Sequence, residues 1–263
     1  MGPEGPAALM GCEIRANLAG YRSSRVTLNG THTMGQIDAG TILLVPIEKM
    51  RGTLVSATDL AAPKSAKKSL ERAQNAFRKN KMDEAEKHLK TALESYPSYA
   101  AAWAGLGQVY EAARRAPEAR KAYESAIAAD DRYVHPYIAL ARLATIEQKW
   151  QEAADLTDRA LQLDPVDFPE GYFFNSVAHY HLNNFDAAER SARRAQRLDP
   201  QHSIPQSYIV MANILEQRKD AAGAAEQLRA YLMIAPQSPY APQARTRLVR
   251  LEELSKPLAD RKP

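Results

Sequence analysis

The histidines and the single cysteine are the first residues of this chain to consider for metal binding or a covalent intermediate. His179 and His181 lie two positions apart in a segment with helical periodicity, so their side chains point to different sides of the helix and make a poor metal pair. Cys12 belongs to no motif that pairs it with a histidine, and a turn explains the glycosylation sequon at 29–31. The sequence also lacks His-Glu-x-x-His, a phosphate-binding glycine loop and Gly-x-Ser-x-Gly. We therefore predict no catalytic residue, no metal site and no cofactor.

The elements that would position any site are pairs of short helices, and small residues set their register. An alanine recurs at steps of 34 to 36 residues, a second small position follows seven residues later, and a proline closes most units because it cannot continue a helix. These positions are Ala85, Ala119, Ala153, Ala188 and Ala224, then Ala92, Ala126, Ala160, Ala195 and Tyr231, and finally Pro97, Pro165, Pro200 and Pro236.

Residues 100–131 show the pattern most completely. Trp103, Leu106, Gly107 and Tyr110 are spaced as Trp-x2-Leu-Gly-x2-Tyr, and the two alanines of the register follow. This pattern resembles the tetratricopeptide repeat. The resemblance implies a mainly α fold, an α-solenoid of helix-turn-helix repeats, with five repeats over residues 67–236.

Some repeats depart from that signature. The first has Ser69, Arg72 and Ala76 where Trp, Leu and Tyr are expected, so its first helix is either a polar end unit or packs on something upstream. The fourth has Asn175 at the Leu position, and the fifth ends in Tyr231, so its packing there must differ.

An amphipathic segment follows the repeats. Residues 239–254 are predicted to form a capping helix that covers the last repeat with a stripe of Leu248, Leu251 and Leu254. Residues 255–263 are polar and are predicted to be a frayed tail.

The N-terminal region has a different periodicity. After a lead at 1–11, residues 12–58 alternate polar and apolar residues, which predicts a small antiparallel β segment. Its predicted strands and turn are Cys12–Leu18, Ser24–Leu28, Gly40–Ile47 and the turn Ala19–Arg22, with a short extended piece at Leu54–Thr58. Residues 59–66 are predicted to be a linker, with Ser65 as the N-cap of the first repeat helix.

This β segment resembles the second half of a carboxypeptidase-regulatory-like domain, a small transthyretin-like β-sandwich. The resemblance is carried by the strand at 12–18, the turn Ala19-Gly20-Tyr21-Arg22-Ser23, the run at 38–44 and the junction at 55–64. It implies that the front half of the sandwich, and any signal peptide, are missing here, so that either the true start lies further upstream or this is a natural fragment. The resemblance therefore favours a bacterial periplasmic or envelope location if such a signal exists, and a cytoplasmic one otherwise.

Composition narrows the classes of partner. The net charge of +4 is a mild excess of 35 basic over 31 acidic residues, which favours a solvated exterior of mixed sign over a nucleic-acid surface. No apolar run is long enough to span a membrane, and a single cysteine excludes an internal disulfide framework.

The resemblance to tetratricopeptide repeats also implies a partner groove lined mainly by the first helix of each repeat. The groove residues that it implies here are Gln108, Glu111, His135, Ile138, Arg142, Phe173, Val177, Tyr180, His181, Asn213 and Gln217, with Ile146 and Ile209 beside them. Aromatic and arginine side chains suit an extended peptide or a partner helix. Leu70 and Gln74 stand where chaperone-binding members carry Lys and Asn, so a heat-shock chaperone tail is not expected.

We therefore predict a non-catalytic scaffold that binds a protein or peptide, in a bacterial envelope assembly if the N-terminal resemblance holds. Two alternatives stay open. The repeats could position substrate for a catalytic domain encoded elsewhere, or residues 12–58 could pair edge strands between chains and form a homo-oligomer.

Overall fold

A computed structural model describes residues 13–14, 21–23, 26–27, 32–33, 36–37, 44–46, 56–166 and 168–255. The chain divides into two compact units. The central unit is Glu48–Pro165, and the terminal unit combines Met1–Ile47 with Val166–Pro263.

Short antiparallel strand pairs are present before residue 47. β1 (Glu13–Ile14) pairs with β3 (Val26–Thr27), β2 (Tyr21–Ser23) with β6 (Leu44–Pro46), and β4 (His32–Thr33) with β5 (Gln36–Ile37). These pairs are antiparallel, as the predicted β segment would have them, and the segment at 12–58 as a domain stays a prediction.

Two details of the N-terminal prediction differ from the structure. The predicted turn at Ala19–Arg22 is wrong at Tyr21 and Arg22, because strand pairing with Pro46 and Val45 holds both residues extended. Thr58 is helical and not extended. The lead at 1–11, Cys12, the sequon at 29–31 and most of the residues that carry the sandwich resemblance lie outside the described residues.

The rest of the described chain is helical. In the central unit the helices are α1 (Thr58–Ala61), α2 (Lys64–Arg78), α3 (Met82–Ser95), α4 (Ala100–Ala112), α5 (Ala116–Ala129), α6 (Val134–Ile146) and α7 (Trp150–Leu163). In the terminal unit they are α8 (Pro169–His181), α9 (Phe185–Leu198), α10 (Gln206–Gln217), α11 (Ala221–Ile234) and α12 (Ala241–Ser255). From α2 to α11 they form antiparallel hairpins that stack within each unit in the manner of a solenoid, which confirms the predicted fold class.

Every hairpin turns in the same way. The residue after the C-cap of each first helix has a positive φ, and the next N–H donates to the carbonyl five residues back, which is the Schellman motif. The positive-φ residues are Asn80, Arg114, Gln148, Asn183 and Lys219. Asparagine tolerates this conformation and the other three residue types do so at a cost, so the turn is set by helix packing as much as by its own sequence.

The register alanines are fully buried within their hairpins. Ala85, Ala119, Ala153, Ala188 and Ala224 are each 0% exposed. A larger side chain at these positions would force the helices apart, which is why the residue type repeats.

Two apolar cores lie behind these contacts, one in each unit. The core of the central unit runs from Ala62 to Leu143 and the core of the terminal unit from Ala188 to Leu251. At their centres Tyr123 and Tyr231 are both 0% exposed, and their hydroxyls donate to Glu111 and Ser238.

The polar departures from the repeat signature have structural partners. Asn175 is buried at the Leu position. Its Oδ1 accepts a hydrogen bond of 2.6 Å from the Ser191 hydroxyl of α9. A buried amide is tolerated when it is hydrogen-bonded. In the first repeat Ser69 and Ala76 are buried while Arg72 is exposed.

The segment before α2 is fixed to the second repeat. Asp130 accepts hydrogen bonds from the Ser56 hydroxyl (2.6 Å) and the Ala57 N–H (2.7 Å), and the Thr58 hydroxyl accepts from the N–H of Ala100 at the start of α4. The residues just upstream of the first repeat are therefore held against the second repeat by these hydrogen bonds.

The boundaries of that segment differ from those expected. The prediction of Ser65 as an N-cap is wrong, since α2 begins at Lys64 and the Pro63 carbonyl accepts the first helical hydrogen bond, from Lys67. The predicted linker also contains most of α1.

The predicted stripe on α12 is correct for two of its three leucines. Leu251 is 2% exposed and Leu248 packs against the core of the terminal unit, but Leu254 is 48% exposed. Each three-residue step falls short of a full turn, so a stripe with this spacing rotates away from the packed face.

Candidate functional site

The predicted groove residues all lie on the first helices of the repeats, and equivalent positions form rows. We call the side of these helices that carries the predicted residues the first-helix face. At the repeat spacing, Gln74, Gln108 and Arg142 occupy one row position on α2, α4 and α6 of the central unit. Val177 and Asn213 occupy it on α8 and α10 of the terminal unit.

A cavity of about 440 Å³ lies on the first-helix face of the central unit, between α2 and α4. Its apolar lining residues are Leu70, Ala73, Phe77, Leu89, Ala101, Ala104, Gly105 and Val109. Its polar lining residues are Gln74, Arg78, Gln108 and Tyr133, none of which is a carboxylate. The cavity therefore has an apolar floor and a rim of hydrogen-bond donors and one cation.

A polar cluster continues from this rim onto α6. Glu111 Oε2 accepts hydrogen bonds from Arg142 Nη2 (2.5 Å) and from the Tyr123 hydroxyl (2.7 Å). The amide nitrogen of Gln108 lies 3.2 Å from His135 Nε2. When Gln108 donates across that contact, the imidazole proton lies on Nδ1.

Donors outnumber acceptors in this cluster. Among the described residues, neither Nε of Arg142 nor Nδ1 of His135 has a hydrogen-bond partner, although both atoms are buried. The carboxylate of Glu111 already accepts from two groups. Both atoms are closed off from solvent, so an acceptor from another molecule would reach them only after a neighbouring side chain moves.

The electrostatics keep the aromatic groups of the cluster neutral. Burial and the Arg142 cation lower the pKa of His135, because both disfavour the imidazolium. Burial and the hydrogen bond to Glu111 raise the pKa of Tyr123. Burial, with the nearby carboxylates of Asp59 and Asp130, raises the pKa of Tyr133 to about 12.

The terminal unit uses its first-helix face differently. Phe173, Val177 and Tyr180 are half-buried and pack against the core of this unit. The Tyr180 ring also meets Phe185 edge-on at 5.9 Å between centroids. His181 lies beside Tyr180 and is exposed as a residue, while desolvation of its ring by neighbouring groups lowers its pKa. These aromatics are largely occupied by packing.

The polar positions of the terminal unit are occupied by α12. Arg247 Nη2 donates to Asn213 Oδ1 (2.7 Å) and to Glu216 Oε1 (2.5 Å), and Arg250 Nη2 donates to Glu216 Oε2 (3.0 Å). The spacing from Glu216 to Arg247 equals that from Glu111 to Arg142, so α12 takes the register of another first helix. Gln217 is exposed.

The structure brings four predicted residues into one cluster, namely Gln108, Glu111, His135 and Arg142. Ile138 is buried and 6% exposed, so its side chain offers a partner little surface. Sequence reasoning missed the contributions of the first repeat, whose signature is weak. The signal was present, since Gln74 lies 34 residues before Gln108, and Phe77 and Arg78 follow it.

Within the described residues, His, Cys, Asp and Glu side chains do not gather in threes as a metal site would require. The helices described between residues 56 and 255 include none with the length and hydrophobicity to cross a membrane.

The sequence matches a family model described as tetratricopeptide repeat, over residues 70–134 and 178–242. The prediction of tetratricopeptide repeats is therefore confirmed. No curated protein sequence matches the chain.

Solved structures resemble the chain in fold. That of pilF from Pseudomonas aeruginosa is 19% identical, with 72% of this chain and 85% of that one covered and a TM-score of 0.63. YrrB, described as a TPR protein with an unusual peptide-binding site, is 20% identical, with 70% and 98% covered and a TM-score of 0.56. The MamA protein is 16% identical, with 66% and 93% covered and a TM-score of 0.56.

Proposed function

We propose that this chain, which carries tetratricopeptide repeats, is a non-catalytic scaffold that binds a protein or peptide on its first-helix face. The observation that carries the proposal is the central unit's donor cluster beside an apolar cavity. Apolar pockets with a few convergent polar groups are typical binding sites. The peptide-binding site described for YrrB supports the same interpretation by analogy of fold.

The chemistry of the cluster favours binding over catalysis. His135 lies beside Gln108 and Arg142, and its lowered pKa keeps it neutral. The nearest hydroxyl identified in the cluster, that of Tyr123, is buried and donates to Glu111. A covalent mechanism needs a nucleophile within reach of a base, and this arrangement supplies donors without such a pair.

A random-peptide display library tests the proposal. Peptides selected on the full chain should lose binding to Gln108→Trp, because the indole would fill the cavity rim from an exposed position. The matched control is Lys121→Trp, an exposed change on α5, which should bind the same peptides as the wild type. Selected peptides that bind both variants equally, or a library that yields no binder, would refute the proposal.

A more specific role follows from the N-terminal resemblance. We propose that residues 12–58 are the second half of a carboxypeptidase-regulatory-like sandwich and that the scaffold serves a bacterial envelope assembly. Sequencing the gene upstream of Met1 tests this. A signal peptide followed by the missing strands would support it, while an upstream catalytic domain would favour the enzyme-accessory alternative.

A further inference from the structure

We infer that residues 56–61 form a clasp on the second repeat that closes more tightly in acid, because the Asp59 carboxyl group takes up a proton as the clasp closes. The clasp comprises Ser56, Ala57 and the short helix α1. The inference rests on three features, which are a chain of hydroxyl groups, two neighbouring carboxyl groups and one carboxyl oxygen without a donor. It does not depend on the proposed function.

Hydroxyl groups link the clasp to both ends of the second repeat. The Thr58 hydroxyl accepts a hydrogen bond of 3.1 Å from the N–H of Ala100, at the start of α4. The Ser56 hydroxyl donates to Asp130 Oδ2 over 2.6 Å. The Ser56 and Thr58 oxygens are 2.8 Å apart, and Thr58 is the donor between them because Ser56 gives its proton to Asp130. The chain of hydrogen bonds therefore runs in one direction, from α4 to a carboxyl group.

Asp130 receives this chain and holds the clasp with both of its oxygens. Its Oδ2 also accepts from the N–H of Ala57 over 2.7 Å, and its Oδ1 accepts from the N–H of Arg132 over 3.1 Å. The attachment of the clasp thus places a carboxyl group of the repeat beside any acidic residue that the clasp brings with it. A like charge in such a position disfavours ionisation of the second carboxyl group.

Asp59 is the acidic residue that the clasp brings. Among the described residues its Oδ1 is buried and lacks a hydrogen-bond partner, although the Tyr99 hydroxyl bonds to the same carboxyl group. Burial raises the pKa of Asp59, and the charge of Asp130 adds to that rise. The hydrogen bond from Tyr99 and the charge of Lys67 oppose the rise without cancelling it. A proton on Asp59 removes the repulsion and gives the carboxyl group a donor of its own.

The sign of the pH dependence follows from the direction of this shift. When α1 is released, water surrounds Asp59 and its pKa returns to the ordinary value of 3.8. The closed clasp therefore binds more protons than the released one. The stabilisation that a proton on Asp59 gives is fully present below that ordinary value, and it is lost as pH rises through the higher pKa of the closed form. Acid tightens the clasp, and neutral pH loosens it.

The other groups around Asp59 do not produce the same dependence. Burial raises the pKa of Tyr99 and raises that of Tyr133 to about 12, so both phenols stay protonated. His135 stacks on Tyr133 at 6.2 Å between centroids, but its pKa is lowered by burial and by the Arg142 cation. Its contribution to stability is therefore lost in acid, which is the opposite sign.

The clasp adjoins the cavity between α2 and α4. Ala100, which donates to the clasp, precedes Ala101 in the cavity lining. The carbonyl of Asp130 accepts from the N–H of Tyr133 over 3.2 Å, and Tyr133 also lines the cavity. A looser clasp therefore leaves this edge of the cavity less constrained.

Hydrogen exchange with mass spectrometry on the full chain tests the inference through peptides that cover residues 56–62. After correction for the intrinsic pH dependence of exchange, we expect protection of these amides to rise about three-fold as pH falls from about 7 to about 4.5. Asp59→Asn imitates the protonated carboxyl group. At neutral pH it should show the protection that the wild type reaches only in acid, with no further rise. Constant protection in the wild type, or weaker protection in Asp59→Asn, would overturn the inference.

Two further variants assign the effect to this carboxyl group. Asp83→Asn is the matched control, since Asp83 is an exposed carboxylate in the first turn of α3, and it should keep the wild-type protection and pH dependence of residues 56–62. Tyr99→Phe removes the hydroxyl that opposes the rise in pKa, so its clasp should tighten at a higher pH than that of the wild type. Equal gains in Asp83→Asn and Asp59→Asn would trace the effect to net charge and remove it from the clasp.

Discussion

The central and terminal units place chemically different groups on the equivalent face of their repeats. In the central unit, Arg142 Nε and His135 Nδ1 lack a hydrogen-bond partner among the described residues. In the terminal unit, the equivalent polar positions, Asn213 and Glu216, are bound by arginines of α12. A repeat sequence therefore does not make every face available to a partner.

The difference shows what α12 does. It repeats the Arg–Glu contact of the central unit, yet the side that would face a second helix carries Pro242, Arg245 and Thr246, all exposed. Val249 on that side is 62% exposed. Terminal repeats of solenoids need a polar outer side, and α12 combines that side with arginines that satisfy the last first-helix face.

The largest effects should come from the two cores, because each unit has its own. Tyr123→Ala and Tyr231→Ala each remove a fully buried aromatic ring, which costs about 3–5 kcal/mol of unfolding free energy. Hydrogen exchange with mass spectrometry should show faster exchange within 62–156 for the first variant and within 188–251 for the second.

Each variant serves as the control for the other. If a substitution unfolds its own unit, protection from hydrogen exchange in the other unit still shows whether the two cores are independent. Identical exchange maps for the two variants would mean that the chain unfolds as one core, and the contrast between units would then concern only their surfaces.

A smaller effect on stability should distinguish the helix–helix contacts of the hairpins in the two units. A Cβ on Gly107 would lie 2.6 Å from ring atoms Cδ1 and Cζ of Tyr123, so Gly107→Ala should cost about 1–3 kcal/mol although Ala favours helix. At the equivalent position of the terminal unit, Ser176→Ala should change stability by less than about 1 kcal/mol, because the hydroxyl bonds only within its own helix, to Phe173.

Urea unfolding measures both changes. The double variant Gly107→Ala with Tyr123→Leu should lose less stability than the sum of its single variants, since the smaller side chain makes room for the new methyl. An additive double variant, or a stabilised Gly107→Ala, would show that this contact does not set the helix approach.

The sequence predicted what depends on local pattern. Periodic alanines predicted the hairpins, and α3 has the bounds expected for it, Met82–Ser95. Contacts between distant residues were not predictable, because no local rule links Ser56 to Asp130 or Asn213 to Arg247. For the buried pair of Asn175 and Ser191, the sequence showed the unusual residue at position 175 but did not indicate its hydrogen-bond partner.

The candidate site divides along the same line. The rows of first-helix positions follow from the repeat spacing, and four of the predicted residues of the central unit contact one another in two pairs. The cavity depends on Phe77 and Tyr133, which the signature did not single out. Whether a residue in a row is free, packed or bound by α12 is decided by tertiary contacts, which a one-dimensional pattern does not contain.

The smallest effect concerns the histidines of the two first-helix faces and is a dependence on pH. Burial and the Arg142 cation lower the pKa of His135, while burial alone lowers that of His181. The unfolded chain therefore binds more protons near its own histidine pKa of about 6.5. The contribution of each histidine to stability is fully present above that pH and is lost as pH falls through the lower pKa of the folded state.

Urea unfolding between pH 7.5 and 5 should thus show a shallower loss of stability in His135→Gln and in His181→Gln than in the wild type, over roughly the range set by the histidine pKa. Added salt should reduce the effect of His135, because it screens the part that is due to Arg142, and should leave the effect of His181 nearly unchanged. The Tyr133 ring stacks on His135 at 6.2 Å between centroids and does not titrate over this range, because its pKa is raised to about 12. A salt dependence that is equal for both histidines would mean that the central face exerts no special positive potential on His135, and the contrast between the two faces would lose its electrostatic basis.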